Sequence, residues 1–221
     1  MNASDLISSS IISLHPNDDG ERAIELMEEL RVNHLPVVRN NFYLGIISEN
    51  DVLNWDSSSE IIQEHLEELN APSVNESQHL FDIIEELEKF SLSTIPVLNK
   101  QKQYLGSITN RKLLYTIAKS TAIKSKGSVI VLQMKQNDYS MSEISRIVES
   151  NNAKILSSYM TSIPTMQNIE ITLKLNIINV LPIIKDFERF DYTVIASYKR
   201  DKNNDDDLLD RYESLMRFLN P

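Results

Sequence analysis

Three positions after Gly45 stands a hydroxyl residue, Ser48, and three positions after that an acid, Asp51. About 60 residues on, Gly106 and Thr109 repeat the spacing, but Lys112 takes the place of the acid. A hydroxyl residue followed at that distance by an acid suits the first turn of a helix. The hydroxyl accepts from one unpaired backbone N–H, and the acid reaches back to another. Lys112 does not fit that use, because a cation in the first turn opposes the helix dipole by about 0.3–1 kcal/mol. With Arg111 beside it, Lys112 suits an anion held at that N-terminus; a long side chain reaching harmlessly into solvent explains it as well.

Other chemistries find no constellation. The chain has no cysteine, which removes disulfides, thiolate nucleophiles and Cys-ligated metals. Its four glycines are not grouped, so there is no phosphate-cradling or dinucleotide-binding loop. No serine sits in a GxSxG elbow, and no pair of histidines has metal-ligand spacing. His15, His65 and His79 lie in polar surroundings and read as surface residues. The expectation is a protein that is not an enzyme and holds no metal. A formal charge of −10 argues against sequence-independent nucleic-acid binding, which needs clustered Lys and Arg. No apolar run is long enough for a membrane span, and the opening MNASDLISSS lacks the basic region of a secretory signal. The expected location is cytoplasmic.

The chain around these residues reads as a duplication. "HLPVVRNNFYLGIISENDVL" (34–53) is echoed by "TIPVLNKQKQYLGSITNRKLL" (94–114), with Pro36 on Pro96 and Gly45 on Gly106. The copies differ in length by one residue, in the polar turns "RNN" and "NKQK". Upstream, Ala23, Ile24, Met27 and Leu30 share a helical face with their counterparts Ile83, Ile84, Leu87 and Phe90, and Leu14 matches Val74. Each copy predicts short strand, helix, strand, hairpin, strand and closing helix, the last over roughly 49–55 and 110–122.

Beyond "STAIKSKGS", a small polar linker, the pattern changes. "VIVLQM", "AKILSSYM", "NIEITLKLN" and "YTVIASY" read as strands. "SMSEISRIVESNN" reads as a helix with a capping box at Ser140 and Glu143, and "VLPIIKDFERF" as a helix with Pro182 in its first turn. The order βαββαβ is the split-βαβ, ferredoxin-like plan. Leu208, Leu209, Tyr212, Leu215, Met216 and Leu219 form one stripe of a final helix after the acidic loop "DKNNDDD".

The two copies together resemble a tandem pair of CBS domains, through "LPVV"/"IPVL", "YLGIIS"/"YLGSIT" and the helix starts that follow. Residues 128–200 resemble an ACT domain, chiefly through "YSMSEISRIVESNNAKILSSYM", and the order is similar to acetoin-utilisation-type CBS/ACT accessory proteins. The resemblance implies an α+β fold: two βαββα repeats (1–58 and 59–123) packed as a pair, a linker (124–127), the ACT-like domain, and an acidic loop with a C-terminal helix (201–221). It implies a non-catalytic regulatory protein that binds an adenine nucleotide between the repeats and forms a homodimer through the ACT-like domain, with a protein partner downstream. Asp51 would take ribose hydroxyls, Ser48 and the helix start would help hold phosphate, and the base would lie along His34, Pro36 and Val37 beside Gly45. The second copy would offer Thr109, Arg111 and Lys112, which suit an anion. The loop "KQNDYS" lacks the glycine usual in ACT domains that bind amino acids. The alternative is a dimeric scaffold with vestigial sites.

Overall fold

In the computed structural model, residues 1–8, 10–163 and 168–200 are described. The chain divides into two compact units, one ending at Ile117 and the other beginning at Ala118. The expected C-terminal helix lies outside the described residues.

The first unit contains both copies. In copy one, α1 (Gly20–Leu30) precedes an antiparallel pair, β1 (His34–Arg39) and β2 (Phe42–Ser48), and then α2 (Glu49–Leu53). In copy two, β3 (Val74–Asn75) leads to α3 (Leu80–Lys89), β4 (Thr94–Leu98), β5 (Tyr104–Thr109) and α4 (Asn110–Ser120). Leu14 bridges Val37 in parallel as Val74 bridges Val97. The register slips after Val37 in one copy and after Val97 in the other, so even the irregularity is duplicated. The length difference falls at the hairpin tips, as the sequence predicts. Asn40 and Asn41 form a two-residue turn with both φ positive, whereas Asn99 folds the longer turn by accepting from the Gln101 and Gln103 N–H groups. The closing helices end at Leu53 and Ser120, short of the expected 55 and 122.

The copies exchange their leading segments. The 3₁₀ turn Ala3–Leu6 packs Ala3 and Leu6 into the core of copy two, with Val74, Ile83, Ile95 and Ile108. The corresponding 3₁₀ turn of copy two, Ile62–His65, packs Ile62 into the core of copy one, with Leu14, Leu35, Val37 and Ile47. Ser8 N–H donates to the Ser107 carbonyl, and Ile46 N–H donates to the Asn70 carbonyl. The exchanged segments cross directly over Gly45 and Gly106. A Cβ on Gly45 would lie 2.7 Å from Leu69 Cβ, and one on Gly106 would lie 2.5 Å from Ile7 Cγ2. The hairpin tips also touch, with Tyr104 N–H donating to the Asn41 carbonyl at 2.8 Å.

The second unit has the order β6 (Gly127–Lys135), α5 (Met141–Ser150), β7 (Ile155–Ile163), β8 (Asn168–Leu175), α6 (Leu181–Arg189) and β9 (Thr193–Arg200). Its antiparallel sheet runs β7-β8-β6-β9, the ferredoxin-like order. Ile130, Leu132, Ile169, Ile171 and Leu173 meet Ile144, Ile147, Val148, Ile183 and Phe187 in one core. Gly127 opens β6 rather than closing the linker. Pro182 sits in the first turn of α6. Only half of the expected capping box forms. Ser140 Oγ accepts from Glu143 N–H at 3.3 Å, but the Glu143 carboxylate accepts from Tyr192 Oη at 2.8 Å.

Burial and that carboxylate push Tyr192 up to about 12. A phenol whose folded pKa lies above its ordinary value of about 10 contributes stability in full below pH 10, and the contribution is lost as pH rises towards 12. Tyr192→Phe is therefore expected to flatten the alkaline arm of the stability curve between pH 10 and 12, measured by urea unfolding at fixed pH. Absorbance titration of the tyrosines should lose one late-ionising group in the same variant.

Candidate functional site

Ser48 and Asp51 do form the capping box that their spacing predicts. Ser48 N–H and Oγ each donate to Asp51 Oδ2 at 2.7 Å, and Asp51 N–H donates to Ser48 Oγ at 3.1 Å. One carboxylate oxygen is thus committed to the cap. In copy two Thr109 Oγ1 accepts from Lys112 N–H at 3.1 Å, and among the described residues no side chain returns the bond. Arg111 is exposed and Lys112 half-buried at that helix start. Tyr43 and Tyr104 occupy matching positions, and burial raises both pKa values. Tyr43 Oη donates to the Pro72 carbonyl at 3.0 Å and so pins the segment linking the copies.

His34, Ser48 and Asp51 line one cavity of about 130 Å³, together with Ile46, Asn70, Pro72, Phe90 and Leu92. Its walls come from β1, β2, α2, the linking segment and the end of α3, so both copies contribute. Ile46, Pro72, Phe90 and Leu92 are the apolar residues of the lining, and His34, Ser48, Asp51 and Asn70 the polar ones. Pro36, Val37 and Gly45 are buried: Val37 lies in the core of copy one, and the Pro36 carbonyl accepts from Leu14 N–H. The lining of this cavity does not include them, nor Thr109, Arg111 or Lys112.

His34 is half-buried and joined to the other copy. Its Nδ1 accepts from Ser93 N–H at 3.3 Å and lies 3.2 Å from Ser93 Oγ. Asn33 N–H donates to Ser93 Oγ at 2.9 Å, and Thr94 Oγ1 donates to the His34 carbonyl at 2.8 Å. Burial pulls the His34 pKa below its ordinary value, partly offset by the Asp51 charge. The sequence signal for Ser93 and Thr94 was only that they stand opposite Asn33 and His34 in the repeat. Of the other histidines, His15 and His79 are exposed, as their polar surroundings imply, and His65 is half-buried. His79 Nδ1 accepts from Phe81 N–H at the start of α3. His65 stacks on Trp55 with centroids 4.0 Å apart, and its Nε2 meets Glu60 at 2.8 Å. Glu60, Glu64 and His65 bring ligand-type atoms within 4.8 Å of one another.

The family model described as the CBS domain matches residues 3–58 and 66–119. The chain carries a tandem pair of CBS domains. The first CBS domain thus spans the 3₁₀ turn through α2, and the second runs to within one residue of the end of α4. An uncharacterized protein of Methanocaldococcus jannaschii is 19% identical over 127 residues, 58% of this chain and 48% of that protein. The chain therefore spans about half the length of that curated relative. Among solved structures, a CBS domain pair/ACT domain protein of Thermotoga maritima is 14% identical, over 54% of this chain and 98% of that one, with a TM-score of 0.47. CBSX2, from Arabidopsis thaliana, has been solved in complex with AMP. That complex is 18% identical over 53% of this chain and 96% of that one, with a TM-score of 0.45. Among the described residues no helix is long and apolar enough to cross a membrane.

Proposed function

We propose that the CBS pair is a regulatory binding module without its own catalysis and that it takes an adenine nucleotide in the cavity beside Asp51. The observation that carries this reading is the composition of the cavity. The apolar lining residues Ile46, Pro72, Phe90 and Leu92 suit the faces of a planar base, and in the same lining the Asp51 carboxylate keeps one oxygen for hydroxyl donors. The hydroxyls of a ribose are donors that such an oxygen accepts. The cavity, at about 130 Å³, is smaller than the roughly 300–1,000 Å³ usual for whole ligands, so it takes part of a nucleotide and the rest extends out of it. Because both CBS domains supply walls, a ligand that fits one relative placement of the domains better than another shifts their population towards it. The second unit then carries that change to a second copy of the chain or to a protein partner.

A thermal-shift panel of AMP, ADP, ATP, S-adenosylmethionine and cyclic dinucleotides tests the reading. At a hundred times its Kd, one of them should stabilise the protein by about 2.7 kcal/mol. The competing reading is a dimeric scaffold without a ligand, favoured by the way Ser48 and Asp51 already satisfy one another. It is the conclusion if the whole panel leaves the melting temperature unmoved.

A further inference from the structure

Ser93 N–H is a donor and nothing else, so the nitrogen that accepts from it, His34 Nδ1, carries no proton. The neutral ring therefore holds its proton on Nε2, the nitrogen left for the cavity that His34 lines. Across the domain boundary Ser93 also places Oγ 3.2 Å from the same Nδ1. That oxygen has two lone pairs, of which Asn33 N–H takes one. When the ring gains a proton, Nδ1–H has the second lone pair as its acceptor. One long bond from Ser93 N–H is lost and one to Ser93 Oγ is gained. The charged ring thus has an acceptor already in place at Ser93 Oγ, at the cost of the Ser93 N–H bond.

The surroundings set when this happens. On α2, Asp51 favours the charged ring, and the Glu49 carboxylate is occupied by the Asn33 amide at 3.3 Å. On α3, Lys89 lies over the Phe90 ring with its ammonium 4.9 Å from the centroid. The stretch 70–72 and β4 bring no titratable side chain. Burial outweighs Asp51, so the empty pocket holds a neutral imidazole at pH 7. An anionic group entering beside Ser48 supplies the missing charge.

We propose that His34 is the proton-linked reader of this pocket: an anionic ligand binds with uptake of a proton at His34, and Ser93 of the second CBS domain is the acceptor that makes the charged form tolerable. The inference rests on the nucleotide reading above and adds to it a specificity rule. Ligand charge is read by a group that senses both the pocket and the neighbouring domain. The affinity for an anionic ligand then rises as pH falls, by about tenfold for each unit by which binding raises the His34 pKa, and levels off below the pKa of the empty pocket.

Calorimetry of AMP binding to the full chain at pH 7, in buffers of different ionisation enthalpy, measures the uptake directly. The phosphate of AMP, with a pKa near 6, contributes uptake of its own, so the comparison is with His34→Gln and with uncharged adenosine. Wild type should take up more protons with AMP than His34→Gln does, and Ser93→Ala should fall between them. Adenosine should bind with no uptake. In the wild-type protein alone, the imidazole C2–H titration of His34 by NMR should move upward when AMP is added, which keeps the test independent of how the variants fold. Equal uptake in wild type and His34→Gln, or a His34 titration that AMP does not move, overturns the inference and leaves the nucleotide reading standing. Failure of adenosine and of the whole nucleotide panel to bind overturns the nucleotide reading, and this inference with it; if AMP alone fails, the same comparison is made with the nucleotide that binds.

Discussion

Asp51→Ala is expected to leave the protein folded and nearly blind to adenine nucleotide. At a hundred times the wild-type Kd, the stabilisation given by AMP should drop from about 2.7 kcal/mol to about 0.4 kcal/mol. Truncation removes the charged acceptor of the ribose hydroxyls, and hydrogen bonds to a charged group contribute about 1.5–3 kcal/mol, on the order of a hundredfold in affinity. The same substitution removes the return half of the capping box and frees the Ser48 N–H and Oγ, which now donate to Asp51 at 2.7 Å. That loss costs about 1 kcal/mol in the empty protein. The shift must therefore be read against each variant's own unliganded melting temperature. Asp51→Asn sharpens the comparison, because its amide oxygen still accepts from Ser48 N–H while the charge is gone. It should recover most of the unliganded stability and little of the shift. If Asp51→Ala keeps the full shift, Asp51 is a helix cap and the ligand sits elsewhere.

The capping box was legible from spacing because it is local: both partners lie within one turn. So were the repeat, the single-residue difference at the hairpin tips and the βαββαβ order, each of which follows from periodicity or turn chemistry along a short stretch. What periodicity cannot supply is the partner of an apolar face. Ala3 and Leu6 look like the start of copy one, yet they complete the core of copy two, and Ile62 does the reverse. Likewise, the sequence offered His34 only as a place for a base to lie, but Ser93 reaches it from 59 positions away. Glu143 was readable as a cap, but its carboxylate is drawn off by Tyr192, 49 positions on. In both cases a tertiary donor outcompetes or completes the local pattern. The cavity depends on the same long-range fact, since Phe90 and Leu92 come from the second domain and Asn70 and Pro72 from the exchanged segment. A site built between two copies is written in neither copy alone.

The exchange of segments predicts a difference between two glycines that the sequence presents as equivalents. Gly106→Ala should destabilise the first unit by about 3 kcal/mol, because φ of +146° strains any side chain and the new methyl meets Ile7 Cγ2 at 2.5 Å. Part of that cost comes from a removable atom. Ile7→Ala deletes Cγ2 and leaves Ile7 Cβ at an unstrained 3.8 Å. The double variant should therefore be more stable than the sum of the single effects by about 1–2 kcal/mol, the remaining cost being backbone strain and lost burial. Gly45→Ala meets Leu69 at Cβ, 2.7 Å away, and the Asn70 carbonyl oxygen at 3.2 Å. Truncating Leu69 to alanine keeps that Cβ, and the carbonyl belongs to the backbone. This second cycle should show no favourable coupling. Urea unfolding of the six variants measures both cycles. Equal coupling at the two positions would mean that the leading segments do not cross the glycines as they do here, with Ala3–Ile7 on the second CBS domain and the stretch 62–70 on the first.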